Sequence, residues 1–426
     1  MPLQGPIVVV SDTSNIPLAT AIKSLHDVAI VECNFAQAAD AIKSSWPASV
    51  VVSDRPKETH KAQVEAISAA LDIMRIRDCY LPALMRVGTE LGPAIANALP
   101  IGMTTTPERI IAQVMSAQRV RRLEQTVKRR AASLKAEGRE LFEPEQGDPI
   151  ADASVLVCGR GKNYPELCTA IGEQFAIIGA LSVEIAAKHL TSRPLDGIFI
   201  GPGFTPPMVN AFLTVLSEDP RFRDIPVALI GGPPVTANVS VMPNFERFNA
   251  PPSAVLAWML PLVRLRAYGA RLQRQLAAIE ANGILDPRTG LFTSNAFAEE
   301  FKRAITEARR TRQPMSLARF WFARDTDQRA VFDIARQASR IRRSLDFVSL
   351  APDGSILLAL PNTKIKQAHV AAKRFANAFK ETVITAGTPE GKAETNIALA
   401  TLQPDDTADT LLARVFETIW IPEAAE

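Results

Sequence analysis

Arg343 and Asp346 stand three residues apart in the run Arg343-Ser344-Leu345-Asp346, and together they could address the two edges of one guanine. A guanidinium fork donates to O6 and N7, and a carboxylate accepts from the ring and amino N–H groups. An ordinary surface ion pair has the same spacing and contributes little to stability. The elements around the pair therefore decide what it means.

Those elements read as a β-hairpin. Phe347-Val348-Ser349-Leu350 is a strand, Pro352-Asp353-Gly354 is a tight-turn signal, and Ile356-Leu357-Leu358-Ala359-Leu360 is a second strand. The arginine and the aspartate are thereby presented at the edge of the hairpin.

The chain carrying this hairpin has 426 residues, enough for about three domains. A hydrophobic content of 47% supplies a core for each and excludes a disordered protein. Lys and Arg outnumber Asp and Glu by only 48 to 45, and a formal charge of +3 is not that of a general DNA or membrane binder. Cys33, Cys79, Cys158 and Cys168 are scattered without a C-x-x-C pair, and His26, His60, His189 and His369 are equally dispersed. Neither a disulfide framework nor a zinc site is expected, and the compartment reads as reducing. The first twelve residues lack the basic and apolar regions of a signal peptide, and no apolar run is long enough to span a bilayer. A cytoplasmic protein without membrane insertion is the expectation.

Upstream, short β-branched runs alternate with helical stretches. Ile7-Val8-Val9-Val10 ends in Ser11-Asp12, and Val50-Val51-Val52 ends in Ser53-Asp54, with a helical stretch over Ala36 to Ser45 between them. This alternation predicts a parallel α/β sheet with Asp12 and Asp54 at the carboxyl ends of its strands, where such sheets bind ligands. Pro107 to about Glu137 reads as a helix carrying the charge run Lys128-Arg129-Arg130, which is the pattern of a solvated face. Glu143 to Pro149 breaks the periodicity and marks a linker. The pattern then restarts at Val155-Leu156-Val157-Cys158, Gly197-Ile198-Phe199-Ile200 and Val227-Ala228-Leu229-Ile230. A repeat of roughly 145 residues is a duplicated domain, since solenoid periods run about 20 to 50. Leu256, Met259, Leu260, Val263, Leu265, Leu272, Leu276 and Ile279 lie at mostly helical spacing from Ser253 to Ala281, which implies a domain or dimer interface on that helix.

The first of these units resembles the receiver domain of bacterial response regulators, in which an aspartate after the third strand is phosphorylated; Asp54 occupies that position. The family's acidic pair for Mg²⁺ is reduced to Asp12 beside Ser11, and its lysine before a proline falls on Thr106-Pro107. In the second unit Gly159 and Arg160 replace the acidic pair, Gly201 the phosphorylated aspartate and Ala250 the lysine, which leaves a structural adaptor.

The last segment resembles GGDEF domains, the diguanylate cyclases that make cyclic di-GMP. The likeness runs through Asp286-Pro287-Arg288-Thr289-Gly290-Leu291, Asn295-Ala296-Phe297, Leu360-Pro361-Asn362-Thr363 and Asp405 to Arg414. It departs at the signature, which falls on Pro352-Asp353-Gly354-Ser355-Ile356, and at the metal-binding aspartate, which falls near Trp321. A one-residue slip would turn Asp353 to the other hairpin face, so the resemblance implies no cyclase chemistry, no metal and no cofactor. Arg343 and Asp346 stand where the family places the R-x-x-D of its inhibitory cyclic di-GMP site, and the further arginine of that site falls on Arg374.

The expected architecture is therefore α/β. Receiver-like, flavodoxin-like parallel-sheet domains at 1–142 and 150–282 precede a degenerate α+β GGDEF-type domain at 283–426. The resemblance implies a receptor that binds cyclic di-GMP as an intercalated dimer at Arg343, Asp346 and Arg374. Its partners would be proteins of a cell-cycle or proteolysis pathway, met at the cell pole. An alternative is a phosphorelay regulator that acts through dimerisation of its receivers, with Asp54 phosphorylated and Asp12 holding the metal.

Overall fold

The computed structural model describes residues 5–12, 16–25, 29–77, 79–88, 92–136, 147–160, 164–232, 235–236, 239, 242–281, 284–311, 313–323, 326–343, 345–380 and 395–417. The linker expected at Glu143 to Pro149 lies outside these residues as far as Gln146, as do the expected domain boundaries at 142 and 282.

The first apolar runs form β1 (Ile7–Val10), β2 (Ile30–Cys33), β3 (Ser49–Val52), β4 (Ala83–Val87) and β5 (Leu99–Gly102), with α1 (Ile16–Leu25), α2 (Phe35–Ser45), α3 (Lys61–Arg77) and α4 (Pro107–Ala136). Every strand pairing is parallel and the order is β2-β1-β3-β4-β5, the flavodoxin-like doubly wound order. β1 and β3 are buried along their whole length, which explains why their sequences are continuous β-branched runs rather than alternating ones. The helix expected at Ala36 to Ser45 is α2, capped by the Asn34 side chain accepting from Gln37 N.

The second set repeats this plan: β6 (Ser154–Cys158), α5 (Tyr164–Gly172), β7 (Ala176–Ala180), α6 (Val183–Ser192), β8 (Gly197–Ile200), α7 (Pro206–Glu218), β9 (Val227–Ile230), β10 (Phe245–Phe248) and α8 (Pro252–Glu280). Its order, β10-β9-β8-β6-β7, is the same sequence of strands read from the other edge. The helices α4 and α8 begin at Pro107 and Pro252, 145 residues apart, so the repeat seen in the strands extends to the long helices.

Both five-stranded sheets belong to one compact unit and share a hydrophobic cluster that runs from Ile7 through Val114 and Trp258 to Val263. Polar clamps on the two equivalent helices join the halves. Arg119 on α4 makes a two-pronged pair with Asp224, at 3.0 and 2.6 Å. Arg264, its equivalent on α8, donates to Asn97 Oδ1 at 2.7 Å and pairs with Asp148 at 2.9 Å. Arg109 donates to Pro243 O and lies 3.6 Å from Glu246 on β10. Burial pushes the Glu246 carboxyl above the ordinary value of 4.5, outweighing the attraction of Arg109. A raised folded-state value contributes stability that is complete below 4.5 and is lost as pH rises through the folded value. We expect the stability of this unit to decline through that weakly acidic window, and Glu246→Gln to flatten the decline. Denaturant midpoints from about pH 4 to 7 test this, and an unchanged slope in the variant would exclude Glu246 as its source.

The remaining elements form a second unit: α9 (Ser294–Thr311), β11 (Met315–Trp321), α10 (Gln328–Ile341), β12 (Phe347–Leu350), β13 (Ile356–Pro361), α11 (Ile365–Lys380), β14 (Asn396–Thr401) and α12 (Ala408–Glu417). The sheet is antiparallel in the order β12-β13-β11-β14, an α+β arrangement. Alternation along β11 sorts its two faces. Ala318 and Phe320 join α10 and α11 in one cluster, while Met315 and Leu317 join α9 and α12 in the other. No helix among the described residues is long and apolar enough to cross a membrane.

Candidate functional site

The amphipathic helix α10 buries Ile334, Ala335 and Ala338 and ends at Ile341, after which Arg342 is extended. The chain then folds back into β12 through a turn that closes twice. Asp346 N donates to Arg343 O at 3.2 Å, and Arg343 N donates to the Asp346 carboxylate at 3.2 Å. A third bond fastens it, because Arg342 donates to Asp346 O at 3.2 Å. The backbone of Arg343 is thus fixed while its side chain is exposed, and its guanidinium has no protein partner among the described residues. Leu345, within the same turn, is 64% exposed.

Arg374 comes from α11, which packs beside α10. Its neighbour Phe375 is fully buried against Phe320 and Phe379, with ring centroids 6.1 and 5.9 Å away, and this pins the helix to β11. The Arg374 guanidinium reaches Ile341 O at 3.3 Å, at the foot of the turn. Arg343, Asp346 and Arg374 therefore gather at the carboxyl end of α10, although 28 residues separate the last two. Asp346 is only 3% exposed, and its carboxylate accepts from the backbone N–H of Arg343, so it shapes the loop that presents Arg343. Arg342 is a further residue of this turn that does not stand out in the R-x-x-D spacing. The available signal was the basic run Arg340, Arg342 and Arg343 at a helix C-terminus, where cations complement the helix dipole. Arg340, Arg343, Lys366, Lys373 and Arg374 are all exposed basic residues on α10, α11 and the turn.

Across the sheet, the turn between β12 and β13 spans Ala351 to Ser355, with Ala351 N donating to Ser355 O and Gly354 at φ 81°, a left-handed conformation that suits glycine. Asp353 lies in this turn rather than on a strand, so the expectation that it faces the opposite side is corrected. Its carboxylate points back to β11, where it accepts from Arg319 at 2.8 Å and from Ser355 N and Oγ at 3.0 and 2.6 Å. Burial would raise its pKa, but the Ser355 and Arg319 hydrogen bonds prevail and hold it below the ordinary carboxylate value. Arg319 also donates to Ser355 Oγ and lies over the rings of Trp321 and Phe416, 5.0 and 4.1 Å from their centroids. A guanidinium and an indole thus fill the corner where β11 meets the hairpin. Among the described residues no cluster of three or more His, Cys, Asp or Glu could hold a metal ion.

At the carboxyl end of the first sheet, Asp54 follows β3 and is half-buried. One of its oxygens accepts from Ser11 Oγ at 2.7 Å and from Asp12 N at 2.9 Å. The Asp12 carboxylate lies 2.9 Å from His60 Nε2 and accepts from Phe35 N at 3.4 Å. His60 is oriented by Lys57 N donating to its Nδ1 and by stacking on Phe35 at 4.4 Å, which turns its Nε2 toward Asp12. His60 was not anticipated, because nothing in its sequence neighbourhood links it to Asp12.

The equivalent end of the second sheet has Gly159, Arg160 and Gly201 at the matching positions. Arg160 donates to Leu181 O and sits over Phe204, and the Tyr164 ring lies where a Cβ on Gly159 would be, 2.7 Å away. Only glycine at 159 permits this approach. Gly201 N donates to Cys158 O at 2.7 Å, so that position is backbone pairing without a carboxylate.

No family model and no curated protein matches the chain. Among solved structures, it is similar to the coiled coil and GGDEF domain of DgcB from Caulobacter crescentus in complex with c-di-GMP, at 16% identity and a TM-score of 0.30, covering 34% of this chain and 83% of that one. It is similar to the diguanylate cyclase SiaD, in complex with its activator SiaC from Pseudomonas aeruginosa, at 21% identity and a TM-score of 0.30, covering 34% of this chain and 60% of that one. The FimX GGDEF domain from Pseudomonas aeruginosa is similar at 17% identity and a TM-score of 0.27, covering 31% of this chain and 89% of that one.

Proposed function

We propose that this chain is a non-catalytic cyclic di-GMP receptor that binds its ligand through Arg343, Asp346 and Arg374 and uses it to recruit protein partners. The observation that carries this reading is the meeting of Arg374 with the Arg343–Asp346 turn at the end of α10, through the hydrogen bond to Ile341 O. Two guanidiniums on separate, packed elements suit a dianionic ligand whose guanine edges are rich in acceptors. In an intercalated ligand dimer, each fork takes one Hoogsteen edge. Titration of the full chain with cyclic di-GMP, beside Arg343→Ala, tests the reading.

The same reading makes the domain a cyclase without its reaction. Trp321 and Ser355 supply no carboxylate where the family has acidic residues, and the nearby carboxylate, Asp353, is committed to Arg319 and Ser355. We expect no cyclic di-GMP from the native chain given GTP and Mg²⁺; product above the buffer background would overturn this part of the proposal.

The order of the units and the missing cyclase residues look like PopA, the Caulobacter adaptor that goes to the cell pole when cyclic di-GMP is bound and helps deliver cell-cycle regulators to a protease. On that likeness the partners are proteins of a cell-cycle or proteolysis pathway, met in the cytoplasm at the pole. Ligand would favour whichever arrangement binds it more tightly, by no more than that difference in affinity. The alternative, a phosphorelay regulator, draws on the half-buried Asp54 at the end of β3. Against it, Asp12 is engaged by His60, and the Arg119–Asp224 clamp joins the two receiver-like halves within the chain, so a homodimer would use other surfaces. Labelling of Asp54 by acetyl phosphate, with no response to cyclic di-GMP, would favour this alternative.

A further inference from the structure

Two aliphatic side chains flank the proposed ligand site with no packing reason to face solvent. Leu345 is 64% exposed in a turn that buries its neighbour Asp346 and closes through two bonds between Arg343 and Asp346. Val370 is 70% exposed on α11 and lies four residues before Arg374, hence on the same helix face. The rest of the exposed surface of α11 between Lys366 and Arg374 is polar or basic. Each of the two arginines thus has one exposed aliphatic neighbour, with the exposed Lys366 and Lys373 on the same helix as Arg374.

We infer that Leu345 and Val370 are the base-packing part of this site, covering purine faces while Arg343 and Arg374 take the purine edges and phosphates. This rests on the reading of the site as a cyclic di-GMP receptor. The surface chemistry supports the choice of ligand, since a dianion complements the guanidiniums while its flat apolar faces complement isolated aliphatic groups. A strongly hydrated anion such as inorganic phosphate would gain nothing from the leucine or the valine. The closed turn adds preorganisation, because Leu345 is already held outward and little ordering is needed on binding.

Calorimetric titration of the full chain with cyclic di-GMP, comparing Leu345→Ser, Val370→Ser, Leu345→Met and Arg343→Ala, tests the inference. Each serine variant is expected to weaken binding about tenfold, the lower end of what burying an aliphatic side chain contributes. Leu345→Met retains an apolar surface of similar volume and should stay within about twofold of the native chain. All these positions are exposed, so thermal midpoints should not move. Native binding by both serine variants, with binding lost in Arg343→Ala, would overturn the role of the aliphatic pair and leave the arginine site standing. Undiminished binding by Arg343→Ala, or no binding by the native chain, would remove the site itself and this inference with it.

Discussion

Arg343→Ala is expected to abolish cyclic di-GMP binding near micromolar ligand while leaving the unfolding transition where it is in the native chain. The loss follows from leaving the acceptor-rich edge of the ligand unpaired, which costs on the order of 2 to 5 kcal/mol. That range corresponds to roughly thirty-fold to several thousand-fold in affinity. The unchanged stability follows from the turn. Its closure uses the Arg343 backbone N–H and carbonyl together with the Asp346 carboxylate, and all of these survive truncation of the side chain. Arg343→Lys should fall between, because an ammonium retains the charge but not the planar fork. Calorimetry and thermal melts on the same preparations check both halves, and undiminished binding by Arg343→Ala would sink the proposal.

Phe375→Ala is expected to destabilise the antiparallel unit by about 3 to 5 kcal/mol, the usual range for emptying a large aromatic site in a core. Phe375 is fully buried, stacked on Phe320 and edge-on to Phe379, so its removal takes the centre out of the cluster that fastens α11 to β11. The consequence reaches function because Arg374 is the next residue. If α11 can shift on the sheet, the bond from Arg374 to Ile341 O loosens and the two arginines lose their common geometry. We therefore expect a lower denaturant midpoint together with weaker cyclic di-GMP binding, even under conditions where the variant is folded. Native affinity in a folded but destabilised Phe375→Ala protein would show that the placement of Arg374 does not depend on this packing.

Much of the fold can be read along the chain because the relevant signals are local. The continuous apolar runs at Ile7–Val10 and Ser49–Val52 are what strands buried on both faces require, and the Pro352-Asp353-Gly354 turn sits between β12 and β13 as its residue types predict. The 145-residue repeat is likewise a property of pattern, and it recurs in the starts of α4 and α8. Side-chain partnerships between distant elements are a different matter. The place of Asp353 on the hairpin says nothing of its partner, since Arg319, 34 residues away, reaches it from another strand. His60 could not be connected to Asp12 by spacing, since 48 residues and several elements separate them.

That Arg343 and Asp346 stand three residues apart just before a hairpin, and that Trp321 and Ser355 carry no carboxylate, is legible from residue types and spacing. The part Asp346 plays in the turn it shares with Arg343 follows from the folded backbone. The closed loop buries its carboxylate and uses it to hold Arg343 outward, a role that depends on backbone geometry which residue types do not specify. The tertiary structure also brought Arg374 to the same place. The packing of α11 on β11 through Phe375 sets where its guanidinium ends, and such packing arises from the combined shapes of several elements rather than from any one stretch of sequence.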